Sequence, residues 1–455
     1  MNRYLPLLIL VAMCSQHMGA QTLSGAPKLV VNITIDQLRN DYMEHFAPLY
    51  GNNGFKKLLS EGCVYESANY PFTNVDRSSA IASIATGTTP YYNNIVSQQW
   101  LDRSTLRPVY CVDDSKYVSS PQRMATSTIS DEMKVSSGGA AIVFAIAAER
   151  DAAILSAGHA ADGAFWIDPH TGNWTASPYF SQGIRKWLSD YRSANPKPTF
   201  NNKEVSNDAI ATMALNCAKE KEMGRDEITD YLAITLSAKA SDPGNWRTDM
   251  EKVYRGLDHT LATIINALQQ TVGKDNVLFV LTSTGYTQNE PVDYAKYRIP
   301  TGTFYINRTA NLLNIYLGAI YGQGRYVATC FHNEIYLDRK LIEDKRISFE
   351  DVISRSKDFL VQISGVRGVM QSPYSPSISG DLIIEVAPGW QLLNEDNQET
   401  FTARAAFVPF PIIFYGAGFK PQRITTSVTV DRIAPTIAKA IQIRAPNACK
   451  AAPLQ

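Results

Sequence analysis

Residues 276–290 read NVLFVLTSTGYTQNE, and the reading of this stretch decides the fold. VLFVL is an unbroken apolar run with β-branched and aromatic members, the pattern of a strand buried on both faces. Just upstream, residues 248–272 place Val253, Leu257, Leu261, Ile264, Ile265 and Leu268 on one helical stripe that Gly273 ends. Thr248 and Glu251 have the spacing of a capping box. DYLAITLSA (230–238) is a further strand. Strand, helix and strand in this order predict a mainly parallel sheet covered on both faces. The loop after residue 281 then lies at the carboxyl edge of the sheet, where α/β folds place their sites. Here it holds Thr284 and Gly285 and no metal-binding side chain before Glu290.

The same alternation extends outward. KLVVNITID (28–36) is a strand ending in Asp36, and GFKKLLSEG (54–62) is a short helix stopped by Gly62. SSAIASIATGTTP reads as a small-residue helix, while GAAIVFAIA (139–147) and AAILSAG (152–158) are buried runs, AAIL being read as a strand. Residues 161–204, rich in Trp, Asn, Pro and Tyr, are expected to be a loop-rich insertion. Residues 296–380 are expected to be a small α/β subdomain. The core is assigned to 21–160, 205–295 and 381–455, closing on the helix VDRIAPTIAKAI.

With 43 basic and 43 acidic side chains, the chain has no net charge, which argues against nucleic acid or an anionic membrane as partner. The N-terminus has Arg3, a short apolar run and a small-residue end at Gly19-Ala20. This predicts a signal peptide cut near Ala20, with the run too short to span a bilayer, so no transmembrane span is expected. A lipoprotein acylated at Cys14 is the alternative, and Met13 fits it poorly. Either way the expected location is periplasmic or outer-membrane-associated. Five cysteines follow: Cys63, Cys111, Cys217, Cys330 and Cys449. The odd number leaves at least one unpaired. Cys217 reads as a core residue, and Cys63–Cys111 is the expected pair if a disulfide forms.

These segments resemble the alkaline phosphatase superfamily, in its secreted phosphodiesterase/nucleotide pyrophosphatase branch, and within it the periplasmic alkaline phosphatases of Bacteroidota. VVNITIDQLRNDY, SIATGTTPYYNNIV, AAILSAGHAADGAFWID, TGNW, GLDHTLA, IIFYGAGF and VDRIAPTIAKAI carry the resemblance, in family order. It implies a three-layer α/β/α sandwich with two insertions forming a small α/β cap. It also implies two zinc ions on Asp and His ligands, and a Thr or Ser nucleophile that is transiently phosphorylated.

At most of the implied positions this chain has a different residue. Asp36 matches the first metal ligand. The nucleophile position falls on Arg77, with hydroxyls next door at Ser78 and Ser79, which could instead cap or pack the helix. The second ligand pair falls on Ala240 or Ser241 and on Gly244 or Asn245, with Asp242 read as a turn residue. The third falls on Thr284 and Gly285, and the last histidine on Pro409. A Lys-x-Arg phosphate clamp is replaced by Glu149 and Asp151, reversing its charge. The histidines beyond the leader, His45, His159, His170, His259 and His332, show no ligand spacing. His259, beside Asp258, reads as part of a solvated helix face. No zinc or other cofactor is therefore expected. The sequence reads first as an exported pseudoenzyme that binds an envelope partner or an unknown ligand. The alternative is a hydrolase with a rearranged, metal-poor site built on Asp36, Asp242 and Ser78.

Overall fold

The computed structural model describes residues 25–180, 182–194, 206–240, 245–287, 294–402 and 408–454. The expected leader, with Cys14 and Ala20, lies outside the described residues. So do Ser241, Asp242 and Gly244.

Among the described residues, ten strands make the central sheet: β1 (Leu29–Asp36), β2 (Cys63–Asn69), β3 (Val143–Ile146), β4 (Gly163–Ile167), β5 (Trp174–Ala176), β6 (Asp230–Ser237), β7 (Val277–Ser283), β8 (Phe410–Gly416), β9 (Gln422–Ile424) and β10 (Val428–Thr429). Their order is β9-β2-β8-β7-β1-β6-β3-β4-β5, with β10 also beside β2. The run β7-β1-β6-β3-β4 is parallel, and β8 and β5 are antiparallel to their neighbours.

Period-2 alternation sorts the side chains into two layers. Val30, Tyr231, Leu278, Val280 and Phe414 join one core. It includes buried residues of helices α2 (Arg77–Thr86), α3 (Ile129–Ser136), α4 (Arg150–Ala157) and α9 (Ile433–Ala440). Leu29, Val31, Leu232, Phe279 and Tyr415 join the other, with residues of α1 (Phe55–Glu61), α5 (Asn207–Glu220) and α6 (Trp246–Val272). Burial on both faces explains why these strands read as near-continuous apolar runs.

Several local expectations change. α6 begins at Trp246, so Thr248 lies inside the helix and does not cap it, and Glu251 pairs with Arg255 at 3.5 Å. AAIL lies on helix α4 and not on a strand. The supposed loop-rich insertion contains β4 and β5, which extend the central sheet. The cap also runs further than expected. Residues 382–386 pair with the cap strands 366–371 and 334–337, and 390–394 pairs with 302–305 and 399–402. The core therefore resumes near β8. The cap has its own hydrophobic core around Leu313, Leu317, Ile335, Val352 and Ile384, supplied partly by α7 (Ile306–Tyr321) and α8 (Phe349–Leu360). The five cysteines are all free, and Cys63 and Cys111 are not bonded. Among the described residues no helix is long and apolar enough to cross a membrane.

Candidate functional site

β1 ends at Asp36, whose even-numbered position puts its buried side chain on the α2/α4 face of the sheet. Next door, β7 ends at Ser283 and leads into Thr284. The Thr284 hydroxyl donates to Asp36 Oδ1 at 2.8 Å and accepts the Gln37 N–H at 2.9 Å. Gln37 adopts a left-handed backbone, φ +64°, to make that contact. Two residues placed at separate ligand positions by the sequence thus bind each other.

Gly285 follows with φ +69°. A Cβ there would lie 2.5 Å from the Tyr70 ring and 2.7 Å from Phe410. Tyr70 is held in place by donating its hydroxyl to the Ser283 carbonyl at 2.8 Å. The space beside Gly285 is a small pocket of about 180 Å³ that Tyr70, Phe72, Val75, Pro409 and Phe410 help to line. None of its described lining residues carries a carboxylate, imidazole or thiol. Pro409 is itself exposed, and its carbonyl accepts the Asn40 N–H at 3.0 Å.

On the other side of Asp36, α2 and α4 bring their N-termini together. Asp76 caps α2 by accepting the Ser79 N–H at 2.9 Å, and Ser79 Oγ accepts the Asp76 N–H at 3.0 Å, which completes a capping box. Arg77, the first residue of α2, reaches across to α4. Its Nε and Nη2 donate to the two oxygens of Asp151 at 3.1 and 2.9 Å, and Nη1 lies 3.3 Å from Glu149 Oε1. Ser78 Oγ donates to Asp151 Oδ2 at 2.6 Å, and the Tyr110 hydroxyl donates to Asp151 Oδ1 at 2.8 Å. Cys111 Sγ lies 3.5 Å from Ser78 Oγ.

The electrostatics follow from this geometry. Burial alone would raise Asp151, but the Arg77 guanidinium and the hydrogen-bonding hydroxyls of Ser78 and Tyr110 overcome it and hold the carboxyl below its usual range. Glu149 goes the other way. Burial pushes it up, Arg77 offsets part of this, and the negative charges of Asp36 and Asp151 add to the rise. Burial, and then the charge of Asp151, push the Cys111 thiol well up, which makes it an inert packing group. Arg77, expected in the nucleophile position, and Asp151 and Glu149, expected in the clamp positions, form one charge cluster. Tyr70 and Tyr110 were not singled out by sequence reasoning, and Cys111 was singled out only as a possible disulfide partner. Only their aromatic or thiol character near the motifs could have marked them.

The family profile of type I phosphodiesterases/nucleotide pyrophosphatases matches residues 30–406. This chain belongs to that family. The resemblance read from the motifs therefore holds, and so does the α/β fold it implied. Alkaline phosphatase PhoV of Synechococcus elongatus is 26% identical, covering 92% of this chain and 91% of PhoV. Alkaline phosphatase PafA of Elizabethkingia meningoseptica is 24% identical, covering 98% of both. The crystal structure of wild-type PafA superposes with a TM-score of 0.79 at 24% identity, over 94% of this chain and 98% of that one. Murine ectonucleotide pyrophosphatase/phosphodiesterase 5 superposes with 0.57 at 14% identity, over 91% and 95%. These structural likenesses show the shared fold.

The family resemblance implies two zinc ions, and the described side chains at this edge do not fit them. Asp36 is engaged by Thr284. Aromatic rings crowd Gly285, and a guanidinium stands among the carboxylates. Among the described residues no group of three or more His, Cys, Asp and Glu side chains is arranged to hold a metal. Ala240 packs against the apolar layer of α5 and α6. The remaining histidines are engaged elsewhere or lie apart. His159 sits between Asp131 Oδ2 and the Met124 carbonyl, 2.9 Å from each. Its preceding residue, Gly158, has φ +81°, and a Cβ there would lie 2.3 Å from Thr128 Oγ1. His259 is exposed on its helix face, as expected, while its neighbour Asp258 is buried and accepts the Gly51 and Phe55 N–H groups at 2.7 and 2.8 Å, anchoring the start of α1.

Proposed function

We propose that this chain is a pseudoenzyme of its family, exported to the cell envelope, which binds a partner or ligand there and transfers no phosphoryl group. The observation that carries this reading is the Arg77–Asp151–Glu149 cluster. In an active site of this family type, a hydroxyl at the start of α2 would attack phosphorus while cations hold the phosphate. Here the cation has moved to the nucleophile position and the anions to the clamp. The guanidinium is spent on two carboxylates of its own chain. An incoming phosphate dianion would have to break that pairing and then face Glu149 and Asp151, a repulsive arrangement in a low-dielectric cleft. The losses at Thr284, Gly285 and Pro409 point the same way, because each is matched by local packing or hydrogen bonding. For the binding role, the cap and the aromatic segment around β4 and β5 are the working surfaces.

One observation favours a second reading, a hydrolase with a rearranged site. Ser78 Oγ donates to Asp151 at 2.6 Å, a hydroxyl–carboxylate pair of the kind that can activate a nucleophile. Both side chains are wholly buried, however, and Asp151 already serves Arg77 and Tyr110. The proteins named above are alkaline phosphatases and an ectonucleotide pyrophosphatase/phosphodiesterase, which sets the substrates to try. The test is a panel of phosphomonoesters, phosphodiesters and sulfate esters assayed with added zinc. The pseudoenzyme reading expects no turnover above that of an Asp36→Ala variant. Turnover that disappears in Ser78→Ala establishes the hydrolase instead.

A further inference from the structure

A short hairpin stands between the charge cluster and the cap. Its strands, Gln99–Asp102 and Arg107–Tyr110, pair with each other outside the central sheet. Trp100 seats it in the core layer of α2 and α4. The base of the hairpin is tied to the site. The Gln98 N–H donates at 2.6 Å to Asp76 Oδ2, on the residue that caps α2. The Cys111 N–H closes the base by donating to the Gln98 carbonyl at 2.9 Å. Between them, Tyr110 carries the hydroxyl that reaches Asp151 at 2.8 Å.

The far end is tied to the cap. Arg103 begins the turn, and its side chain is only 21% exposed. Nη2 lies 2.8 Å from Oδ2 of Asp381, a wholly buried carboxylate of the cap. The guanidinium also donates to the carbonyls of Pro376, Leu337 and Ser379 at 2.6, 3.3 and 3.3 Å. It stands 5.0 Å from the centre of the Tyr336 ring, whose hydroxyl accepts the Leu101 N–H at 3.3 Å. All four hydrogen-bonding and ionic partners of Arg103 thus belong to the cap. Asp381 does not need this arginine for neutralisation alone, because Arg339 of the cap already donates to its Oδ1 at 2.8 and 2.6 Å. A guanidinium taken out of water is costly unless its donors find acceptors in good geometry. These acceptors come together around Arg103 in one position of the cap relative to the core.

We propose that the 99–110 hairpin is a strap, which sets the cap in one position on the core through Arg103 and carries a change in that position to Tyr110 and Asp76 at the site. Four paired residues per strand span about 13 Å, so the two attachment points are joined by a short, hydrogen-bonded link. The strap is independent of the binding reading above and holds whether or not the cleft is catalytic.

Amide hydrogen exchange of the full chain, read by mass spectrometry in Arg103→Met and Arg339→Met, tests it. Each variant removes one guanidinium from Asp381, but only Arg103 belongs to the hairpin. Arg103→Met should speed exchange about tenfold at Leu337 and Asp381 in the cap and at Gln98 and Cys111 at the hairpin base, since the loss of one charged hydrogen bond is worth roughly that in an opening equilibrium. Amides of α6, in the opposite layer, should keep their rates. Arg339→Met should speed exchange in the cap alone. If Arg103→Met does not fold, Arg103→Lys, which keeps the charge but cannot make the three carbonyl contacts, gives the same pattern with a smaller change. Unchanged rates at Gln98 and Cys111 in a folded Arg103 variant overturn the proposal, because the hairpin is then only a local brace. Equal acceleration at Gln98 and Cys111 in Arg339→Met overturns it too, because the cap then loosens the core by another route. So does acceleration in the Arg103 variant that extends equally to α6, which marks a loss of stability of the whole chain.

Discussion

Replacing Arg77 with methionine keeps the length and apolar stem of the side chain and removes the charge. Asp151 would then be a wholly buried carboxylate with two hydroxyl donors and no counter-ion. Removing one partner of a buried pair costs about 3–5 kcal/mol, because the remaining charge stays desolvated. The Arg77 side chain is only 16% exposed, so solvent screens the pair little. The contact with Glu149, whose side chain is 41% exposed, adds little to this cost. With an unfolding entropy of roughly 2 cal/mol/K per residue, the melting temperature should fall by about 4 °C. The pH dependence follows from the depressed carboxyl of Asp151. Such a group contributes stability above the unfolded aspartate value near ~4, and this is lost as pH falls through the lower folded value. In Arg77→Met, burial is no longer outweighed, and the folded value rises. The deficit should therefore be largest near pH 7 and shrink toward about pH 4.5, as the stranded carboxyl takes up a proton. Urea unfolding at the two pH values measures this, and Arg77→Met/Asp151→Asn should recover more than half of the loss at pH 7. A deficit below about 1 kcal/mol, or one that does not change with pH, would refute the reasoning.

Three further outcomes are expected. Gly285→Ala puts a methyl group into the Tyr70 and Phe410 rings at a left-handed position, and should cost about 2–4 kcal/mol in chemical denaturation. His159 is pushed down by burial, but the Asp131 carboxylate and the Met124 carbonyl outweigh this and raise it. Its contribution is therefore complete below the ordinary histidine value of ~6.5 and is lost as pH rises through the raised folded value. His159→Gln should accordingly cost about 1 kcal/mol at pH 6 and less at pH 9, read from paired urea curves. Asp258→Ala strips the acceptor from the Gly51 and Phe55 N–H groups and should cost about 1–3 kcal/mol, with faster amide exchange localised to the start of α1.

Much of the sheet was legible because strands buried on both faces must be apolar at nearly every position, as VLFVL and LVVNITID are. The N-terminal serines of α2 were also read as capping or packing residues, and both roles occur. The run AAILSA was not readable as a helix, since a short buried run of small and aliphatic residues suits either element. TGNWTAS was taken for a loop because β5 is three residues long and sits at the sheet edge. The cap boundary was missed for a topological reason. Residues 382–386 look like any core strand, and only their partners at 334–335 and 366–371 show which sheet they join. The solvated face was legible at His259, but the anchoring role of Asp258 was not, because it depends on a backbone N–H 203 residues away. At the site, the changes at Arg77, Glu149 and Asp151 were each visible as an altered residue. Their pairing was not, because Arg77 and Asp151 are 74 residues apart and meet only when α2 and α4 dock.

The central claim is that the carboxyl edge of this sheet has exchanged a metal site for a self-contained charge cluster. Its most direct test is the zinc content of the purified protein after equilibration with excess zinc and removal of free metal, measured by plasma mass spectrometry. The account predicts well below one zinc per chain, with Asp36→Ala no lower than the wild type. Two zinc ions per chain, reduced by Asp36→Ala, would contradict it.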